Sequence, residues 1–382
     1  MNERVSLITD YRSGDFGIQE LADLYGISRK TVYKWLERFE RLGWTGLEDQ
    51  SRAPRHHPNA ISEAVELELL NLKAQRRLWG APKLRCKLEQ KLGAELCPAE
   101  STISRILKRH GLSRRRGRRR GAVWGQSPLE HCLGPNAVWC ADFKGWFRTG
   151  DQRKCSPLTI SDAYSRYLLC CQGLEEKTGF VTVQPLFERT FREYGLPEAI
   201  RTDNGAPFAS TSLGGLSALS IWWLRLGIRL ERIEPGKPQQ NGRHERMHRT
   251  LKEATAKPPR PNGGQQQCAF DQFRAEYNEQ RPHEALNQQT PSSVYCPSGR
   301  SFPERLPPVE YPEGWQKRLV CAGGQIRWQG EKLFVGRNLT DQLLGLEPVG
   351  DGQWVIHFTS LSLGRLDERQ GRIERHDKLE SN

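Results

Sequence analysis

No apolar run in the 382 residues is long enough to cross a bilayer; typical runs are as short as Tyr167–Cys171, against the roughly 18 residues a spanning helix needs. The opening MNERVSLITDYRSGD lacks the apolar centre of a signal peptide. No CxxC occurs among the 10 cysteines. His56 and His57 with Cys86 and Cys97 lack the close paired spacing of a zinc knuckle, which argues against a structural zinc. No internal repeat is evident. These absences lead to the expectation of a cytoplasmic chain with its cysteines as thiols.

Acidic residues are also in deficit, 45 against 58 Lys and Arg. The deficit is concentrated: residues 1–120 carry 25 basic and 15 acidic residues, the remaining 262 carry 33 and 30. A basic first third on a near-neutral body points to a polyanionic partner for that third. Hydrophobic residues at 36% with 11 Trp and 13 Phe exclude a wholly disordered chain. At roughly 150 residues per domain, the length makes room for two to four domains.

The basic third has helical texture. Ile18, Leu21, Ala22 and Tyr25 recur at helical spacing before Gly26, and Ser28 stands as the N-cap of a second helix with Val32, Leu36 and Phe39 on its apolar face. The opposite face shows Arg29, Lys30, Tyr33 and Lys34, so the pair reads as a helix-turn-helix with a basic second helix suited to a major groove. An ordinary helical hairpin is the plain alternative. Residues 43–60 lose periodicity and read as a linker. Helices resume from Ile61, and a second helix-turn-helix is predicted with Ile103, Ile106 and Leu107 inward and Arg105, Lys108 and Arg109 outward. It runs into SRRRGRRRG, whose Arg114, Arg115, Arg116, Arg118, Arg119 and Arg120 form a candidate phosphate-binding arm.

From about residue 123 the texture changes. Ala137–Phe147, Pro157–Asp162 and Arg166–Gln172 read as successive strands, with alternating helices and strands after them: a mixed sheet flanked by helices. Prolines at 297, 303, 307, 308 and 312 mark a second linker. Beyond it, period-two alternation between glycine turns predicts a small closed β-barrel of about five strands. The expected division is a helix-turn-helix over 1–55, a second with the basic arm over 56–122, a catalytic core over 123–295, a Pro-rich linker over 296–312 and the barrel over 313–375.

Three carboxylates stand out by placement. Asp142 lies mid-strand, where a charge is costly unless it serves a site. Asp203 comes just after a short strand in RTDNGAPF, and Glu245 lies on a helix where it shares a face with Arg249 and Lys252, opposite Met247, Leu251 and Ala254. Each alone is uninformative. Taken with their surroundings, WCADFKG, PLTISDAYSRYLL, IRTDNGAPF, PQQNGRHERMHRTLKEA and YNEQRPHEALNQQTPSSVY, the pattern resembles the DDE integrase core of bacterial insertion-sequence transposases, relatives of retroviral integrases.

The resemblance implies a multidomain α/β protein. Its core would have an RNase H-like mixed sheet, with all-α helix-turn-helix modules before it. It implies Asp142, Asp203 and Glu245 as catalytic carboxylates holding two Mg²⁺ or Mn²⁺ ions, with Asp142 bridging both. Lys144, Asn204, Arg249 and Lys252 are candidate DNA contacts. The implied partners are double-stranded DNA, at the element's terminal inverted repeats and at the target, and further copies of the chain. It also implies a prokaryotic protein, associated with the nucleoid when bound. A catalytically inactive or domesticated DNA-binding derivative is the alternative, and a nuclease for RNA–DNA hybrids is a third reading that the two helix-turn-helix patterns disfavour. The 41 residues between Asp203 and Glu245 exceed the family's usual spacing, and the excess is expected as an enlarged loop at 209–220.

Overall fold

The computed structural model describes residues 2–49, 51, 61–113, 132–175, 177–210, 212–233 and 242–375. The chain divides into two compact units, Met1–Ser62 and Glu63–Asn382.

In the first unit, α1 (Asn2–Ser13), α2 (Ile18–Leu24) and α3 (Arg29–Leu42) enclose Leu7, Ile8, Leu21, Val32 and Leu36. Gly26 turns the chain at φ 63°, and the Ser28 hydroxyl accepts from the Thr31 N–H at 3.2 Å, capping α3. The segment expected to open as a linker instead folds back. A 3₁₀ turn over Gly43–Leu47 buries Leu47 in the same core, and Arg4 donates to its carbonyl at 2.8 Å. Loss of periodicity there reflects a turn too short to display a repeat. Residues 52–60 lie outside the described residues.

The second unit begins with α4 (Glu63–Gln75), α5 (Ala81–Leu92) and α6 (Glu100–Arg109), which bury Leu69, Leu84, Leu88 and Ile103. Arg76 pairs with Glu276 at 2.9 Å and Lys83 donates to the Pro282 carbonyl, so these helices are tied to the central body of the unit.

That body is a mixed sheet of β1 (Val138–Phe143), β2 (Phe147–Arg148), β3 (Lys154–Asp162), β4 (Leu168–Leu174), β5 (Ala199–Thr202) and β6 (Arg229–Arg232). Its order is β2-β3-β1-β5-β6, with β4 also on β3; β1 runs antiparallel to β3 and parallel to β5. The single strand expected over 137–147 breaks at Gly145, whose φ of 79° no extended strand accommodates. On one face, α7 (Phe180–Tyr194) and α8 (Ala218–Arg225) pack Phe187, Phe191 and Trp223. On the other, α9 (Gly242–Thr255) and α10 (Gly263–Ala275) pack Met247, Leu251, Phe270 and Phe273. Adjacent Cys170 and Cys171 on β4 point to these two opposite cores, as strand geometry requires, and all 10 cysteines are thiols.

The C-terminal strands do not close into a barrel. Strands β7 (Gln316–Leu319), β10 (Leu343–Gly350), β11 (Gln353–Phe358), β12 (Leu361–Asp367) and β13 (Arg372–Arg375) form an open antiparallel sheet in the order β13-β12-β11-β10-β7. Strands β8 (Gln325–Trp328) and β9 (Glu331–Phe334) form a separate hairpin. Alternation at period two reports one buried face, not how it is covered. Here Leu213, Leu216, Ile221 and Leu224 of the central body cover it, so the sheet need not curl onto itself. The expected enlarged loop supplies this cover: Ser217 caps α8, and the residues before it carry Leu213 and Leu216. Asn338 donates to the Ser212 hydroxyl and the Leu216 carbonyl, both at 2.9 Å, locking the contact.

The Pro-rich segment is likewise packed. Arg300 donates to the carbonyls of Pro197, Leu226 and Gly227, Phe302 joins the sheet's core, and the Tyr311 hydroxyl donates to the Leu343 carbonyl at 2.8 Å. Prolines there stiffen a strap across the surface.

Candidate functional site

The parallel pairing of β1 with β5 sets the site. Val138 stands beside Ala199, Trp139 beside Ile200 and Cys140 beside Arg201. The same offset carries Asp142 alongside Asp203, just past the end of β5. Carboxyl ends of adjacent parallel strands leave a crevice that sheet side chains cannot fill, a common place for ligands in α/β folds. Asp142 is largely buried, whereas Asp203 is exposed with a carboxylate oxygen accepting from the Gly205 N–H at 3.1 Å.

Glu245 lies in the first turn of α9, on its exposed side. A carboxylate is favoured there by the helix's free N–H groups and dipole. The helix is held to β3 and β4 by Met247 and Leu251, packed with Cys155, Leu168, Cys171 and Phe270. The electrostatic result appears at Asp142: burial, then the charge of Asp203, and more weakly that of Glu245, push its carboxyl up to about 7, against the Phe143 N–H and Lys144. Among the described residues, no three His, Cys, Asp or Glu side chains already form a metal-holding cluster. The three carboxylates are therefore in electrostatic contact without being gathered at one point.

The inward face of α9 differs from expectation. Ala254 is not among its buried residues, whose place is taken by His244, His248 and Thr255. These buried positions, 244, 247, 248, 251 and 255, make one helical stripe, and it puts two imidazoles at i, i+4 against β3. The Thr159 hydroxyl lies 2.7 Å from His244 Nε2 and 2.6 Å from His248 Nε2, and Ser161 Oγ lies 2.9 Å from His244 Nδ1. His248 Nδ1 faces Asp142 Oδ2 at 3.8 Å. Burial drives both imidazoles to the neutral form, His244 down to about 3 and His248 strongly in the same direction. Sequence reading missed these residues. The HxxxH spacing in RHERMH, on the side of Met247, was the available signal.

The remaining candidates separate by environment. Arg249 and Lys252 are exposed on the Glu245 side of α9, and Lys144 is half-buried beside Asp142. Asn204 spends its amide on the Ile233 carbonyl at 2.8 Å, which holds two loops together. Arg29, Lys30, Tyr33 and Lys34 are exposed together on α3. Arg105 and Lys108 are exposed on α6, whereas Arg109 joins His110 in binding Glu66 of α4, an internal tie. Arg114, Arg115, Arg116, Arg118, Arg119 and Arg120 lie outside the described residues.

Comparison with known proteins agrees with this organisation. Models described as integrase core domain match residues 133–238 and 226–291. A helix-turn-helix domain matches 3–55 and a homeodomain-like domain 31–107. The chain is 30% identical over 248 residues to an insertion element IS407 uncharacterized 31.7 kDa protein of Burkholderia multivorans, covering 63% of this chain and 85% of that one. It is 26% identical over 238 residues to an insertion element IS476 uncharacterized 39.2 kDa protein of Xanthomonas euvesicatoria, covering 62% and 65%. A chain of the simian T-cell lymphotropic virus intasome structure aligns over 77% of this chain and 97% of its own at 18% identity, with a TM-score of 0.36, too loose a likeness to argue from. The sequence matches carry the assignment: this chain belongs to the family of insertion-element transposases, in which helix-turn-helix DNA-binding domains precede an integrase core.

Proposed function

We propose that this transposase binds the terminal inverted repeats of its mobile element and cuts and joins DNA at Asp142, Asp203 and Glu245. The observation that carries the reading is the shared level of Asp142 on β1 and Asp203 just past the end of β5, with the charges of both Asp203 and Glu245 felt at Asp142. The donor set fits a hard divalent cation: every donor is a carboxylate oxygen, and a cation would reverse the like-charge pressure on Asp142. Asp142, Asp203 and Glu245 would hold Mg²⁺ or Mn²⁺, two ions in our reading. When bound, such ions activate an attacking oxygen and stabilise the leaving oxygen of an in-line phosphoryl displacement.

The chain's own residues position the reactants. In the first reaction, water attacks phosphorus and the bond to the 3′ oxygen breaks, leaving a 3′-OH on the element end and a 5′-phosphate on its neighbour. In the second, that 3′-OH attacks a target phosphodiester and displaces a new 3′-OH, so no outside energy source is needed. Arg249 and Lys252, exposed beside Glu245, would neutralise DNA phosphates at the site, while Lys144 moderates the charge at Asp142. The exposed row Arg29, Lys30, Tyr33 and Lys34 would read the repeat in a major groove, with Arg105, Lys108 and the 114–120 arginines adding phosphate contacts. Joining two element ends calls for at least two copies on DNA, in the nucleoid of a prokaryotic cell.

Functionally, 1–55 and 56–122 would serve end recognition and 123–295 the chemistry, with 296–312 and 313–375 bracing the core. The test is incubation of the full chain with labelled terminal-repeat duplex, target DNA and Mg²⁺. Strand-transfer product supports the reading, and end binding without any cleavage would instead identify a DNA-holding derivative.

A further inference from the structure

Thr159 sits at the centre of a buried polar array that the proposed chemistry does not use. Its hydroxyl oxygen approaches three groups: His244 Nε2, His248 Nε2 and the Asp142 carbonyl, the last at 3.2 Å. It has one proton, so it donates to one of them only.

The proton count selects a single arrangement. If the Thr159 proton goes to the Asp142 carbonyl, both imidazoles must donate from Nε2. With Asp142 ionised, as it is at the pH of the test below, His248 Nδ1 is then a bare lone pair facing the carboxylate at 3.8 Å, one acceptor against another. Donation to His244 leaves His248 in the same state. Donation to His248 Nε2 removes that opposition: His248 then carries its proton on Nδ1, towards Asp142. His244 donates from Nε2 to Thr159, and its Nδ1 accepts from Ser161 Oγ, 2.9 Å away. The long approach to the Asp142 carbonyl is the weakest of the three and the one to forgo.

We infer that Ser161, His244, Thr159 and His248 form a one-way hydrogen-bond chain whose last N–H points at the Asp142 carboxylate across 3.8 Å, an electrostatic approach longer than a hydrogen bond, and biases its orientation for a divalent cation. The four are positioning residues, and the inference deepens the proposed function, on which its metal-binding consequence rests. The arrangement takes each imidazole with a single ring proton, and both rings are buried, where a charged ring without a paired anion is costly. An N–H dipole orients a ligating carboxylate without competing as a charge, the usual work of groups behind metal ligands.

The first measurement uses the unmodified full chain without DNA or metal. Long-range ¹H–¹⁵N correlation of labelled histidines at about pH 8 is expected to show His248 protonated at Nδ1 and His244 at Nε2. His248 protonated at Nε2 overturns the chain. The second measures Mn²⁺ binding by electron paramagnetic resonance. Thr159→Val, which removes the hydroxyl, is expected to weaken Mn²⁺ about 10- to 100-fold, the range typical for such supporting groups. Thr159→Ser is expected to stay within about 3-fold of wild type, a margin small beside that loss. His248→Asn keeps an N–H near the Nδ1 position and is expected to bind Mn²⁺ more tightly than His248→Gln, whose amide lies nearer Nε2.

A folded Thr159→Val protein with wild-type Mn²⁺ affinity, or Gln outperforming Asn at 248, defeats the inference. Should Thr159→Val not fold, the tautomers and the Asn–Gln comparison decide. End cleavage by the wild type is scored separately. If it is absent while the tautomers and Mn²⁺ losses appear, the catalytic reading fails and the chain stands; if it is present with the tautomers reversed, the chain alone fails.

Discussion

Asp142 on β1 lies level with Asp203, one residue past the end of the neighbouring parallel strand β5, and the charge of Asp203 is, after burial, the strongest influence lifting the Asp142 carboxyl from 3.8 to about 7. The folded chain therefore holds this proton more tightly than the unfolded chain. The contribution to stability is accordingly full at low pH and is lost as pH rises from about 4 through about 7. In EDTA, the melting temperature of wild type relative to Asp142→Asn should fall between about pH 4 and pH 7. Buried His244 and His283, both drawn down to about 3, act in the opposite sense below 6.5, but they are common to both proteins and cancel in the comparison. A difference in melting temperature that does not change with pH would refute the buried, charge-crowded state of Asp142.

Glu245→Gln keeps shape and removes charge at an exposed position, so folding should be unaffected. Cleavage and strand transfer should both be lost, because both reactions use the same carboxylates, while end binding persists. Asp142→Asn and Asp203→Asn should behave alike, and the double variant should lose little more than either single one. Labelled terminal-repeat duplex in Mg²⁺ and in Mn²⁺ is the assay. Near wild-type cutting by Glu245→Gln would place the third ligand elsewhere.

Leu213 is buried where the 209–216 segment meets the C-terminal sheet. Leu213→Ala should cost about 2–5 kcal/mol, as for other buried leucines whose sites cannot collapse. The loss should be local at first, seen as faster proteolysis within 296–315 and a lower melting temperature. Asn338→Ala should produce the same pattern more weakly, since it removes the donor to Ser212 and Leu216.

For end binding, neutralising Arg114, Arg115, Arg116, Arg118, Arg119 and Arg120 should flatten the log–log salt dependence by about 0.9 for each phosphate left without its cation, on random and specific duplex alike. Lys34→Ala should instead reduce discrimination between end and random DNA, as Lys34 is exposed on α3. Arg109→Ala should lower thermal stability slightly through loss of the Glu66 pair, with little effect on the salt slope. Equal salt slopes with and without the six arginines would eliminate the arm as a phosphate-binding element.

Local rules were legible in the sequence because their causes are local. The Ser28 cap, the glycine stop at Gly26, the short strand before Asp203 and the amphipathic pattern of α3 each depend on residues within a few positions of one another. The three carboxylates were legible as an ordered set of motifs, though their spacing along the chain says nothing of distance. Only the parallel register of β1 and β5 brings Asp142 to Asp203, through a pairing across some sixty residues.

Other outcomes depended on what covers a face. Alternation marked the C-terminal strands as one-sided, but the choice between closing on themselves and lying on Leu213 and Leu216 belongs to the partner surface. The same holds for α9, whose buried stripe leaves out Ala254 and sets His244 and His248 against Thr159. Polar residues that the sequence left unassigned become internal when a neighbouring strand supplies hydrogen bonds at the right depth. That match is a property of packing, because desolvating an imidazole is tolerable only where a partner from a distant part of the chain restores what water provided.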